Sequence, residues 1–454
     1  NHANGVSMTT VLGPTGVLRR ALRNAGLLLT GKISAGLIQL GSFALAARGL
    51  GLNDFGIFSM LLAQVQLLTG LAAFQSNHAI VRYGVEHLRT GNRRAFQALI
   101  KAGTLLDLGA ALFAMIATFL LVPLISDYLG WDSAITRSAQ LISVLALTNA
   151  IATPKGMLRL FGRFDLLTQH TVVTPAARLV GVAICYATGA SLAGYIVFWL
   201  IAGLLGAAVA LWLGWREARR RDLLHGMNGS LRGLTDENPG IWRFTIISNL
   251  NSSLKLIPDQ LSTFLVGVML TPAAAGLFKI ARELGTAFAK PVELLNQSVY
   301  PDVARLASVG QWHRLSRTVL HAGLLAAGSS ALAAILVAAG GRTLISFVFG
   351  DEFISAQLVL LLIAIATSIT VLVFAVEPVL YALGKPSRSL VTTLAASLVF
   401  TVGLLYCLPR YGLSGAGMAY LMSGVVTVGF SIFWYWKLVV VPHGRRSREA
   451  RTSG

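Results

Sequence analysis

Ser248, Asn251, Lys255, Asp259 and Ser262 recur at spacings of 3, 4, 4 and 3 inside an otherwise apolar stretch, which puts them on one face of a helix. The next apolar stretch carries a second polar stripe: Lys279, Arg282, Glu283, Thr286, Lys290, Glu293 and Gln297. A third stretch, near the N-terminus, holds Lys32 and Gln39 two turns apart. An unpaired charge in hydrocarbon costs roughly 2.5–3.5 kcal/mol on insertion scales, so these side chains call for water, a counter-ion or a ligand. The cations Lys32, Lys255, Lys279, Arg282 and Lys290 outnumber the anions Asp259, Glu283 and Glu293. A net-positive lining suits an anionic cargo such as a phosphate or pyrophosphate head group. A plainer reading stands beside it: Lys255–Asp259 and Lys279–Glu283 are i,i+4 pairs that can neutralise each other as structural ion pairs. Pro258 and Pro291 interrupt the two stripes, each freeing a backbone carbonyl and allowing a bend, which makes them hinge candidates.

Two further residues extend the set. Glu377, beside Pro378, suits an inner gate or an ion-coupling role, and Arg178 is expected to snorkel to the interface rather than face a cavity. Catalytic chemistry is not indicated. No Gly-rich phosphate loop ends in Gly-Lys-Ser/Thr, and no His/Glu pair has zinc spacing. Cys185 and Cys407 both lie in apolar stretches, as buried thiols do. We therefore expect no catalytic residue, no metal site, no cofactor and no enzymatic activity.

The elements that must position these residues are membrane spans. Hydrophobic residues make up 55% of the 454-residue chain and charged residues 12%, against about 25% charged in a soluble domain. A bilayer core about 30 Å thick takes roughly 20 helical residues to cross. Twelve stretches qualify, near 24–47, 56–80, 98–123, 137–155, 171–188, 191–214, 241–268, 275–299, 318–339, 354–381, 387–408 and 413–437. None shows the alternating ten-residue pattern of a membrane β-barrel. The net charge of +19 is a matter of orientation and not of nucleic-acid binding. Most of the 37 Lys and Arg fall in loops on one side, whereas the opposite loops hold only Arg48, Arg342 and Arg410. By the positive-inside rule both termini are cytoplasmic. Polar residues 1–10 ahead of a long first apolar stretch lead us to expect no cleaved signal peptide.

A basic cytoplasmic linker, 215–240, divides a first six-span lobe, 1–214, from a second, 241–437, and a short basic tail, 438–454, follows. The lobes are repeats. An offset of 220 residues pairs Leu50 with Leu270, Gly56 with Gly276, Phe58 with Phe278, Arg94 with Arg314 and Gly103 with Gly323. An even number of spans per lobe makes the repeat parallel, with a pseudo-two-fold along the membrane normal and a central cavity between the lobes. The fold class expected is all-α integral membrane.

Three local patterns resemble the multidrug/oligosaccharidyl-lipid/polysaccharide exporter superfamily, in its bacterial polysaccharide (O-antigen type) flippase branch. Ala46-Ala47-Arg48-Gly49-Leu50-Gly51-Leu52-Asn53-Asp54-Phe55-Gly56-Ile57-Phe58 is similar to that family's LARxLGxxxFGxFS segment. Asp259-Gln260-Leu261, Ala274-Ala275-Gly276-Leu277-Phe278 and Tyr300-Pro301 carry the likeness through spans seven and eight. Tyr411-Gly412-Leu413-Ser414-Gly415-Ala416-Gly417-Met418-Ala419 resembles GxxGAAxA, with Gly417 replacing one Ala. The resemblance implies flipping of an undecaprenyl-pyrophosphate-linked oligosaccharide from the inner to the outer leaflet of the bacterial inner membrane. It implies that carrier lipid, membrane lipids and a polysaccharide polymerase as partners. Lipid II flippases of the same superfamily carry two additional C-terminal spans, which the short tail here does not supply.

On this reading the lobes rock about the cavity. Lys32, Arg48, Lys255, Lys279, Arg282 and Lys290 are the substrate-binding candidates, and Asp259, Glu283, Glu293 and Glu377 the candidates for ion coupling or ion pairing. Two rivals remain. A cation-coupled multidrug exporter of the same superfamily wants an acidic cavity, and a membrane-embedded glycan enzyme wants large external loops; the sequence offers neither.

Overall fold

The computed structural model describes residues 14–74, 76–226, 231, 233–286, 303, 305–306, 309–383 and 385–442. All the regular structure among them is helical. The first half contains α1 (Pro14–Ala72), α2 (Ser76–Thr90), α3 (Arg93–Leu129), α4 (Ser133–Ile142), a 3-10 segment (Ser143–Asn149), α5 (Ala152–Leu160), α6 (Phe164–Thr188) and α7 (Leu192–Arg220). A single turn, α8 (Leu234–Glu237), lies in the linker. The second half begins with α9 (Ile241–Leu256), a π-turn (Ile257–Leu261) and α10 (Ser262–Met269). It continues through α11, described over 272–286, then α12 (Trp312–Phe349), α13 (Gln357–Val371), α14 (Val376–Ala382), α15 (Pro386–Tyr411) and α16 (Leu413–Tyr435).

Nine helical segments among the described residues are long and apolar enough to cross a membrane. The first of them is two spans, because α1 breaks at Gly51, whose φ of 71° belongs to the left-handed region that glycine enters without penalty. Phe43 and Phe58 show that the chain reverses there. A straight helix would hold them roughly 22 Å apart, yet both rings lie within 5.2 Å of Trp199. The sequence α9–π-turn–α10 and α11 occupy the seventh and eighth places, so twelve spans are accounted for. The π-turn falls on the predicted bend at Pro258. Pro291 and part of the eighth span lie outside the described residues.

Composition dictates which faces meet lipid. Leu105, Leu112, Phe113, Ile116, Phe119, Leu120 and Leu124 of α3 are exposed, as are Leu324, Leu325, Leu332, Ile335 and Leu336 of α12. Apolar stripes of that extent are untenable in water and are natural against acyl chains. The two stripes are also repeats: Leu105, Leu112 and Ile116 map onto Leu325, Leu332 and Leu336 at the 220-residue offset.

The buried core is distributed unequally along the membrane normal. At the end away from the linker one cluster joins both halves, with Phe43, Phe55, Phe58 and Trp199 against Phe278, Phe349, Phe353 and Phe400. At the linker end the described core divides into smaller clusters, two of them larger than the rest. Ile80, Phe96, Leu99, Met157 and Leu223 form one in the first half, reaching only Ile241 of the second. Val303, Leu315, Val376, Val379 and Trp434 form the other, entirely within the second half. Among the described residues the halves thus share one core at the end away from the linker and divide into separate clusters at the linker end, where α9 still packs on the first half through Phe244 against Tyr83 at 6.1 Å.

The repeated motif itself lies at the shared end. Gly276 lies so close to its counterpart Gly56 that a Cβ there would meet the Gly56 nitrogen and the Leu52 carbonyl oxygen, each at 3.2 Å. A Cβ on Gly56 would overlap the Pro272 carbonyl. Small residues at such a crossing let two helix backbones touch, which is how spans associate where lipid removes the hydrophobic drive. Beside the crossing, Phe55 meets Phe353 edge-on at 5.7 Å. The Glu352 carboxylate accepts the Leu52 N–H at 3.1 Å, capping the helix that restarts after Gly51.

Candidate substrate cavity

Two cavities with polar side chains in their walls lie side by side, sharing lining residues. The first, about 250 Å³, is bounded by α1, α2, α3, the 3-10 segment and α5, and its lining includes Asn77, Asp107, Asn149, Lys155 and Arg159. The second, about 290 Å³, lies between α1, the 3-10 segment, α6, α9 and the π-turn, with Gln66, Thr148, Arg178, Leu256 and Gln260 in its wall. Thr69, Ala73 and Asn149 line both. Because Leu256 and Gln260 come from the second half, the second cavity is an inter-lobe space.

Asp107 is the structural pin of this region. It is 3% exposed and accepts hydrogen bonds from Ser76 Oγ at 2.6 Å and from the Thr153 N–H and Oγ1, both at 2.7 Å. A carboxylate on the first-turn amide of α5 is favoured by the helix dipole, and it ties α2, α3 and α5 together. On α5, one turn apart, Lys155 and Arg159 reach the same cavity. Neither has a carboxylate within ion-pair distance among the described residues.

Arg178 corrects an expectation. It does not snorkel to an interface: it lines the second cavity, its guanidinium stacks over Trp199 at 4.4 Å, and its Nη1 donates to Gln39 Oε1 at 3.4 Å. Its Nε is buried with no partner among the described residues. Cation–π contact with the largest aromatic ring holds the charge inside, as desolvated guanidinium groups allow.

The stripe on α11 is packed between the halves. Lys279, 4% exposed, forms an ion pair with Glu283 at 2.8 Å and sits over the Phe43 ring at 4.8 Å. Arg282, 6% exposed, donates from Nη1 to Thr263 Oγ1 at 3.3 Å, and its Nε has no partner among the described residues. The Pro258 carbonyl, freed in the π-turn next to Asp259, accepts from the Tyr420 hydroxyl at 3.0 Å. Trp199, stacked on one side by Arg178, packs on Phe43 at 5.2 Å. Trp199 and Phe43 thus stand between Arg178 of the second cavity and Lys279.

The remaining candidates are dispersed. Lys32 is exposed on α1 and lines neither cavity. Arg48 stands at the closed end, where its Nε donates to the Val348 carbonyl at 3.0 Å and its Nη2 to the Phe347 carbonyl. There it satisfies the free carbonyls at the end of α12 and ties the halves together. Glu377 accepts from Ser389 Oγ at 3.0 Å and lines a separate cavity of about 240 Å³ in the second half, with Thr392, Thr393, Thr427 and Ser431. Lys255 is on α9, but its side chain is outside the described set, as are Lys290 and Glu293 altogether. Sequence reasoning missed Lys155, Arg159 and Asp107. Asp107 carried a usable signal, a lone carboxylate inside an apolar run; the two cations were absorbed into the count of loop charges.

Known proteins agree with this architecture. The profile of the polysaccharide biosynthesis protein family matches residues 21–307. The inner membrane protein YghQ of Escherichia coli (strain K12) is 31% identical over 344 residues, covering 75% of this chain and 96% of that protein. The fold superposes on the inward closed conformation of the lipid II flippase MurJ with a TM-score of 0.70 at 12% identity, covering 90% of this chain and 87% of that one. It superposes on an inward-facing multidrug resistance MATE family transporter with a TM-score of 0.69 at 14% identity, covering 90% and 95%. A family match over more than half the chain and an inner-membrane relative over three quarters of it fix the assignment. The chain belongs to the polysaccharide biosynthesis protein family, and its many long apolar helices make it a multi-pass membrane protein.

Proposed function

We propose that the protein flips an undecaprenyl-pyrophosphate-linked oligosaccharide from the inner to the outer leaflet, for O-antigen, capsule or exopolysaccharide production. The observation that carries this reading is the core shared at one end and, among the described residues, divided at the other, with an inter-lobe cavity lined by Gln66, Arg178 and Gln260 between them. With the linker end on the cytoplasmic side, as its basic residues favour, this is a carrier loaded from within. The sugar and pyrophosphate occupy the cavity while the prenyl tail stays in lipid through the opening between the halves. Rocking would expose Lys279 and Arg282 as the shared core opens, and Lys255 and Lys290 belong to the same two spans. Binding energy lowers the barrier and confers no direction. A cation gradient acting through Asp259, Glu283, Glu293 or Glu377, or capture of the product by a polymerase outside, would supply it.

Reconstitution in proteoliposomes carrying lipid-linked oligosaccharide tests the proposal. Wild-type protein is expected to move the lipid between leaflets, and Arg282→Ala and Lys255→Ala to slow the transfer at least tenfold. Wild-type protein that moves no lipid-linked oligosaccharide would overturn the reading.

A further inference from the structure

Building on the transport reading, we infer that Arg159, Lys155 and Arg178 form a ladder of contacts in the first half that takes the phosphate-bearing head group of the substrate on the linker side. Three observations converge. First, the three cations line two adjacent cavities that share Thr69, Ala73 and Asn149 in their walls, which sets Arg159, Lys155 and Arg178 along one side of the first half. Second, the only carboxylate in that lining is committed elsewhere. Asp107 spends one oxygen on Ser76 and the other on Thr153, which leaves the positive charges without an anion among the described residues. Third, Lys279 of α11 differs, because it is already paired with Glu283 and lies behind Phe43 and Trp199.

Three cations without a carboxylate partner among the described residues, set along adjacent cavities, favour a ligand with at least two negative charges, and a pyrophosphate ester is such a ligand. Arg178 marks the end of the ladder, since beyond it Trp199 and Phe43 stand before Lys279. The ladder therefore belongs to the loading state, and the span-eight cations to the state after the shared core opens.

The test is equilibrium binding to the purified full-length chain in phosphatidylcholine nanodiscs, with three probes: inorganic pyrophosphate, a polyprenyl pyrophosphate and the unphosphorylated polyprenol. Lys155→Gln and Arg159→Gln are each expected to weaken polyprenyl pyrophosphate binding about tenfold, and to leave polyprenol binding unchanged. Arg178→Lys is expected to bind better than Arg178→Gln. Arg410→Gln, an exposed cation outside the cavities, is expected to match wild type. Inorganic pyrophosphate showing the same sensitivity would support the ladder and make the phosphates alone sufficient. Sensitivity confined to the lipid form would support it and assign recognition to the lipid-linked head group. Monodisperse Lys155→Gln and Arg159→Gln proteins that bind polyprenyl pyrophosphate as tightly as wild type would overturn it. Flipping by wild type alongside that result would sink the ladder and spare the function; intact binding without flipping would do the reverse.

Discussion

Lys279 and Glu283 are four residues apart, a spacing equally suited to a solvated binding stripe and to a self-neutralising pair. The structure brings them to 2.8 Å beneath Phe43. Breaking a buried pair from one side strands the other charge, at about 3–5 kcal/mol. Glu283→Gln should therefore lower the thermal unfolding midpoint clearly, whereas Lys279→Met combined with Glu283→Leu should restore most of the loss. Unfolding in detergent followed by tryptophan fluorescence measures both. Charges of this kind were legible in the sequence because they interrupt apolar runs. Lys155 and Arg159 were not, since a cation near the cytoplasmic end of a span is already explained by the positive-inside rule. Arg178 was misplaced for a related reason: only the fold reveals that Trp199 waits on another helix to receive it.

Among the elements, the linker departs furthest from what its polar composition suggests. It is strapped to the first half. Asn238 is fully buried, with its Oδ1 2.8 Å from His87 Nε2 and its amide donating to the Leu234 carbonyl. Gln97 donates to the carbonyls of Leu223 and His225, and the Tyr83 hydroxyl to that of Pro239. At the strap's start, the hydrogen bond from the Arg93 guanidinium holds the Asp222 carboxyl below the usual carboxylate range. A depressed pKa adds stability above the unfolded value and loses it as pH falls through the folded one. Proteolysis of the linker should thus be unchanged between about pH 5 and 8 and quicken only in stronger acid, while Asn238→Ala should quicken it at neutral pH. The α9 segment, pinned by this strap and by Ser253 Oγ donating to the Gly70 carbonyl at 3.1 Å, is expected to ride with the first half and bend at the Pro258 π-turn. The paired glycines make the opposite contact. Gly56→Val would drive a side chain into the Pro272 backbone, so spin labels on Leu50 and Val348 should move apart relative to wild type.

For the whole molecule, the number of spans, the duplication and the two-lobe plan were all readable, because each is written as hydrophobic length or as recurring residues. The conformational state was not. Whether a repeat meets its copy at Gly56 and Gly276 or stands away from it depends on a balance of packing that no periodicity encodes. The structure sets that balance at one end only, and Arg48 and Glu352 add polar ties across the same seam.

The shared core around Trp199, Phe43 and Phe58 has an electrical consequence. Water filling the cavities would conduct far better than the packed core above them, and would concentrate the membrane voltage across that core. Each unit of charge crossing it exchanges about 2.3 kcal/mol per 100 mV. On the proposed function, with an interior-negative membrane and the linker inward, a dianionic head group crossing that core would be pushed outward by about 4.6 kcal/mol per 100 mV. Flipping in proteoliposomes should accordingly accelerate under a potassium diffusion potential negative on the linker side, and slow when its sign is reversed.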